Sequence, residues 1–214
     1  LPLTLFPYTT LFRSVMNAIR YYLEYYRYGI LFDWSVVRLT IVLGLLTWWL
    51  GLQYDKAKYF SERDYLTGVY NRRYINNLFP KLIKKVKEKR QKICVFMIDI
   101  NNFKKLNDTY GHEVGDMAIK NLSDLLQDNI KRTHIVSRWG GDEFLIVAPN
   151  VEKVDAINMI NKIKEALDKD VNKYGNNIDI GVSIGYSLYP DDADDFSDLI
   201  KLADSRMYQV KLGN

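Results

Sequence analysis

Two short, largely apolar runs, Ile135–Trp139 and Phe144–Ala148, lie on either side of Gly140-Gly141-Asp142-Glu143. Runs of this length around a glycine pair read as the arms of a β-hairpin. Glycine at the tip lets the backbone approach a ligand that a side chain would hold off. The adjacent carboxylates are hard oxygen donors, the kind Mg²⁺ takes together with phosphate oxygens and water. About 40 residues upstream, the unbroken apolar run Ile93–Ile98 ends in Asp99. Such a run reads as a buried strand. An isolated Asp there would serve as a strand-end cap. Beside the hairpin it becomes a second carboxylate, because neighbouring strands would bring Asp99 and Asp142 together. Two close carboxylates repel unless a cation neutralises them.

Helical and strand patterns alternate around these runs. Asn71–Arg90 places Tyr74, Ile75, Leu78, Leu82, Ile83 and Val86 at helical spacing. His112–Ile130 does so with Val114, Ala118, Leu122, Leu125 and Leu126, and Val151–Lys169 with Val154, Ile157, Ile160, Ile163, Ala166 and Leu167. Ile178–Leu188 reads as a strand or hairpin arm, and Phe196–Lys211 as a last helix. The expected fold is α/β (α+β): a central mixed or antiparallel sheet covered by helices.

The 214 residues, 48% of them apolar, suffice for one ordinary core plus an extra segment. The net charge of +4 is mild, and basic residues are read as spread among acidic ones, which does not indicate nucleic acid as a partner. The single cysteine, Cys94, excludes an intramolecular disulfide and is read as a small buried hydrophobe.

The segment Trp34–Tyr54 is the membrane candidate: about 20 largely apolar residues cross a bilayer core of roughly 30 Å. Arg38 can snorkel to the headgroups, and Trp34, Trp48, Trp49 and Tyr54 suit the interfacial belts. Lys56, Lys58 and Arg63 follow, so the positive-inside rule puts the C-terminal domain in the cytoplasm, at the cell membrane. A buried soluble helix is the alternative; apolar residues on every face argue against it. Residues 15–33 are Tyr-rich and too polar to span, and residues 55–63 form a short charged link. Within residues 1–14, the run Leu5–Ser14 matches what a common sequencing adapter encodes in one frame. Residues 1–14 are read as an artefact of a truncated gene.

Four further stretches accompany the hairpin in order. They are Asp64-Tyr65-Leu66-Thr67-Gly68-Val69-Tyr70-Asn71-Arg72; Asp99-Ile100-Asn101-Asn102-Phe103-Lys104 through Asn107, Gly115 and Asp116; Ser183-Ile184-Gly185; and Ala203-Asp204-Ser205-Arg206-Met207-Tyr208 to Lys211. From about Glu62 to Asn214 the chain closely resembles the GGDEF family of diguanylate cyclases. The resemblance implies a palm-like domain, similar to class III nucleotide cyclases and polymerase palms. It implies that a homodimer condenses two GTP into cyclic dimeric GMP and two pyrophosphates, and that the product acts on downstream effectors.

The resemblance also implies roles by position. Asp99, the carbonyl of Ile100 and Asp142 would bind Mg²⁺, with Mn²⁺ as a substitute. Glu143 would be the general base or a second-metal ligand, beside Asp142 as a catalytic group. Asn107 and Asp116 would read guanine, whose N1–H and N2–H₂ suit a carboxylate acceptor. Phe103 would line the nucleotide pocket, Lys104 and Lys211 would contact phosphates, and Gly140 and Gly141 would admit the substrate.

Three departures stand out. Asn101 replaces the family's usual second Asp, removing one negative charge. Lys131 and His134 occupy the product-inhibition positions, where the family has Arg and Asp; lysine lacks arginine's fork, and histidine is no carboxylate. The family continues past this chain's end with a further basic residue and a closing strand. The leading reading is a membrane-tethered diguanylate cyclase. The alternative is an inactive GGDEF domain serving as a nucleotide receptor or interaction module. A cyclase making a mixed adenine–guanine product is disfavoured by Asp116.

Overall fold

In β2 (Ile93–Ile100) every residue is buried, and successive side chains leave opposite faces of the sheet. Cys94, Phe96, Ile98 and Ile100 enter one core; Ile93, Val95 and Met97 enter another. This two-sided burial requires a helical layer on each face, and the chain provides both. The structure is a computed structural model that describes residues 8–27, 34–170 and 180–213.

The chain divides into residues 1–61 and residues 62–214. In the second unit the described residues form a five-stranded sheet in the order β1-β3-β4-β2-β5. Strand β1 is Tyr70–Asn71, β3 Ile135–Arg138, β4 Glu143–Pro149 and β5 Val182–Tyr189. Strands β2 and β5, β2 and β4, and β3 and β4 pair antiparallel, whereas β1 and β3 pair parallel, so the sheet is mixed. One face is covered by α5 (His112–Asn129) and α6 (Lys153–Asp170), through Ile119, Leu122, Leu126, Ala156 and Ile163. The other is covered by α3 (Arg72–Lys89) and α7 (Phe196–Gly213), through Ile75, Phe79, Val86, Leu199, Ala203 and Met207. Asn71 starts α3 by accepting the Tyr74 N–H at 3.0 Å.

Two elements escaped the sequence reading. Helix α4 (Phe103–Tyr110) is eight residues long and has no fully buried residue; only its Phe103 and Leu106 pack against the core. Strand β1 has two residues, too few for alternation. The strand expected from Ile178 starts at Val182, and residues 178–179 lie outside the described residues.

The charge reading needs correction. Positive charge is not spread: residues 72–92 hold nine of the 30 Lys and Arg and one of the 26 Asp and Glu. This follows from α3 burying one apolar stripe and filling its outer face with lysine. Cys94 is fully buried, as expected, and burial pushes its thiol up.

In the first unit, α1 spans Tyr8–Arg27 and α2 spans Trp34–Glu62. The expected link at 55–63 is thus helical up to Glu62. Among the described residues, Val37–Glu62 is long and apolar enough to cross a membrane, with a mean hydropathy of 1.2. Its Leu39, Ile41, Val42, Leu45, Trp48 and Leu50 are exposed.

Candidate active site

The register of β2 and β4 sets the acidic end of the sheet. Asp99 lies directly opposite Glu143, and Asp142, expected near Asp99, stands one residue beyond that pair. By strand alternation both side chains leave the face covered by α7, with Val95, Met97, Leu145 and Val147. Asp142 sits at the hairpin end, and its carbonyl accepts the Ile100 N–H at 3.4 Å. The carboxylates are close enough to act on one another. Partial burial, then the charge of Asp99, pushes the Asp142 carboxyl above its ordinary range. Glu143 is raised by burial, then by Asp204, Asp99 and Asp142. Asp204, on α7, is therefore a fourth acidic group of this site that sequence reasoning passed over. Its position within the quoted Ala203–Tyr208 stretch was the available signal.

Lys211 reaches the same cluster. Its Nζ donates to Asp99 Oδ1 at 2.6 Å, and this bond holds the ammonium above its usual value. Helix α7 lies over the face from which Asp99 emerges, so the lysine reaches the carboxylate. Ile100 is buried, which leaves its backbone as the part able to serve a ligand.

Arg138, at the end of β3, braces the hairpin. Its Nη1 donates to both carboxylate oxygens of Asp64 at 3.1 and 3.3 Å, and its Nε and Nη2 donate to the Gly141 carbonyl at 3.0 and 2.8 Å. Asp64 also receives the Leu66 and Thr67 N–H groups and the Thr67 hydroxyl. Sequence reasoning gave Arg138 no role. Its planar fork suits this double grip. Gly140 faces the Glu143 carboxylate so closely that a Cβ would crowd it.

The second cluster lies where α4 meets α5. Asn107 Oδ1 is buried and has no hydrogen-bond partner. A Cβ on Gly115 would overlap that amide and press on Phe103, so the missing side chain makes the room Asn107 occupies. Asp116 follows Gly115 and is exposed, as is Lys104. An orphaned buried acceptor is costly and marks a place for a polar ligand.

Asn101 is turned to other work: its Oδ1 accepts the Ser183 hydroxyl at 2.7 Å, and its N–H donates to the Gly181 carbonyl. At the product-inhibition positions Lys131 is exposed, whereas His134 is only 9% exposed, its Nδ1 unpartnered. Burial, then Lys131, lowers the His134 pKa.

The family described as "Diguanylate cyclase, GGDEF domain" matches residues 61–214. The chain belongs to the GGDEF family. It is 32% identical to the diguanylate cyclase DosC of Escherichia coli over 150 residues, covering 69% of this chain and 32% of DosC. With the response regulator PleD of Caulobacter vibrioides it shares 29% over 160 residues, 73% of this chain and 35% of PleD. The chain thus spans about a third of either relative's length. A Pseudomonas aeruginosa TpbB (YfiN) structure comprising only the GGDEF domain has a TM-score of 0.66 at 28% identity, covering 71% of this chain and 90% of that one. DgcB of Caulobacter crescentus, with coiled coil and GGDEF domain in complex with c-di-GMP, gives 0.75 at 21% identity over 85% and 96%, a likeness of fold alone.

The donor set fits a hard divalent cation. Asp99 and Asp142 offer carboxylate oxygens, and their mutual repulsion is the charge imbalance such an ion relieves. Among the described residues no group of three or more His, Cys, Asp or Glu forms a complete cage. A two-carboxylate site of this kind suits an ion that also takes phosphate oxygens.

Proposed function

We propose that this chain is a diguanylate cyclase. It condenses two GTP into cyclic dimeric GMP with release of two pyrophosphates, acting as a homodimer held at the cytoplasmic face of a membrane by α2. The observation that carries this reading is the joint presence of two constellations. One is the repelling carboxylates Asp99, Asp142 and Glu143 around β2 and β4. The other is the unpartnered Asn107 amide beside Gly115.

In the proposed reaction each GTP 3′-oxygen bonds to the α-phosphorus of the opposite GTP while the α–β bond breaks and pyrophosphate leaves. Asn107 and Asp116 hold the guanine edge; adenine has no N1–H and N2–H₂ donors to match. Phe103 lines the pocket, and Lys104 contacts the phosphates. Gly140 and Gly141 let the substrate lie against the backbone. Asp99, Asp142 and the Ile100 carbonyl would hold Mg²⁺, which neutralises phosphate charge and lowers the hydroxyl pKa. Glu143, with its raised pKa, takes the 3′-hydroxyl proton. Lys211 exchanges Asp99 for a phosphate oxygen when substrate enters.

The Lys211–Asp99 ion pair favours a second reading, a nucleotide-binding domain without turnover. Incubation with GTP and Mg²⁺ separates the two. Cyclic dinucleotide with two pyrophosphates per product is expected; bound but unconverted GTP would establish the receptor. Specific activity of residues 62–214 should rise over a hundredfold concentration range, since each domain supplies half of the reaction. The membrane-embedded chain should respond much less, because tethering raises effective concentration toward roughly millimolar. Flat, identical curves would exclude tether-assisted dimerisation.

Two further outcomes test details. Gly115→Ala should raise the KM for GTP about tenfold or more, since Asn107 must vacate its place, the lost partner being worth about 1–3 kcal/mol. Its thermal stability should hold, because alanine gains about 1 kcal/mol of helix propensity in α5. Product inhibition at the Lys131–His134 positions should be weak or absent. Tight inhibition that Lys131→Ala relieves would show that the site survives.

A further inference from the structure

The outer face of α3 stands apart from everything the catalytic reading uses. Residues 72–92 carry a net charge of +8, nine basic against one acidic, while the whole chain is +4; the rest is therefore −4. Lys81, Lys84, Lys85, Lys87, Lys89 and Arg90 are exposed. None of these six forms an ion pair or side-chain hydrogen bond among the described residues. Lys92 marks the edge, paired with Asp191 at 2.8 Å. Beneath this face α3 buries Ile75, Phe79 and Val86, so the lysines are fixed on a packed helix rather than a loose tail.

A field of this kind attracts a polyanion, and its composition selects which. The exposed residues of α3 are Arg, Asn, Pro, Lys and Glu, with no aromatic ring on which a base could stack. Five of the six central groups are lysines, mobile point charges suited to diffuse anionic headgroups rather than to fixed bidentate contacts. Position in the chain points the same way. Residues 53–71 alone separate α3 from the apolar stretch that ends at Leu52. Basic clusters just beyond such a stretch gain electrostatic energy at an anionic leaflet.

We propose that the lysine face of α3 binds the anionic lipid surface. The proposal needs no catalytic activity, and it is tested without α2, so its failure is distinct from failure of the cyclase or anchor readings. Residues 62–214 contain both cores, and the TpbB (YfiN) domain forms the same fold alone.

The test mixes residues 62–214 with sedimentable vesicles of phosphatidylcholine alone or with about one-third phosphatidylglycerol. Binding is expected to the anionic vesicles only, falling about tenfold or more as salt rises from roughly 0.05 to 0.5 M. Replacing Lys81, Lys84, Lys85, Lys87 and Lys89 by Gln should lower affinity about tenfold or more. Replacing Lys120, Lys164 and Lys169 on α5 and α6 should leave it unchanged. Anionic vesicles should also shield the α3 lysines of the unaltered protein from acetylation while Lys120 stays reactive, a readout that needs no variant. Equal binding to neutral vesicles, equal loss in the control variant, or uniform acetylation would overturn the proposal. So would tighter binding of a short oligonucleotide at the same salt, which would assign the face to nucleic acid.

Discussion

Asp142→Asn is expected to lower turnover of GTP by about 10³-fold or more while making the domain more stable at neutral pH. The catalytic half follows from removing a carboxylate placed to hold a divalent cation against phosphate, an interaction of several kcal/mol. The stability half follows from charge. Asp142 is partly buried and faces Asp99, so folding raises its pKa. A raised carboxyl pKa penalises the folded state above that pKa and leaves it untouched below the unfolded value. The variant's advantage should therefore be complete at pH 7–8, shrink as pH falls through the raised pKa, and vanish in strong acid. The mild exposure of the site keeps the effect small beside the loss of turnover. Melting curves across pH, with and without Mg²⁺ and a non-hydrolysable GTP analogue, check both halves. Ligand should stabilise the parent and much less the variant. A variant less stable than the parent at pH 8 would show that Asp142 is structurally engaged rather than repelled.

Glu143 belongs to the same argument by a different route. Its largest neighbouring charge is Asp204, from α7, and only then Asp99 and Asp142. Lys211 thus interacts with three carboxylates, Asp99, Asp142 and Glu143, while Asp204 adds its charge at Glu143. The acidic end of the sheet is built for a ligand that brings positive charge, and Lys211 partly offsets it at Asp99.

Much of this was legible in the sequence because burial writes a regular pattern. The unbroken run of β2, the arms of β3 and β4 and the stripes of α3, α5 and α6 could be read from the order of apolar residues, and α7 could be marked as a last helix. Hairpin pairing of β3 with β4 was legible, and so was the nearness of Asp99 and Asp142; that Glu143 stands directly opposite Asp99 was not. Register is set by how two distant strands meet, and a one-residue offset leaves no local trace. Helix α4 was hidden because it is only eight residues long and offers the core just Phe103 and Leu106. The Arg138–Asp64 contact and the Asp204 contribution were hidden for a related reason: each acts across more than 60 residues of sequence, through a geometry that only the closed fold creates. The Asn107–Gly115 fit was half visible: both positions could be marked from the resemblance, but not that one makes room for the other.

Gly185→Ala is expected to be the most disruptive single-carbon change in the domain. On β5 the side chains of Val182, Ile184 and Leu188 enter the α5–α6 core, so Ser183, Gly185 and Ser187 face α7. This small-residue strip lets the α7 backbone lie against the strand, with the Ser187 hydroxyl donating to the Leu199 carbonyl at 2.7 Å. A Cβ at Gly185 would overlap the Ala203 carbonyl and the Met207 backbone, neither of which is a flexible chain end. The helix would have to lift, opening the core around Leu199, Ala203 and Met207. The cost should be about 4 kcal/mol or more, near 10 °C in melting temperature. It should reach function as well, because α7 carries Asp204 and Lys211 to the site. Gly141→Ala supplies the contrast: nothing lies within 4 Å of a Cβ there, so stability should hold. Urea and thermal unfolding of the two variants side by side decide the matter. A Gly185→Ala protein that melts with its parent would mean that α7 is held by its own side chains and not by the closeness of its backbone to β5.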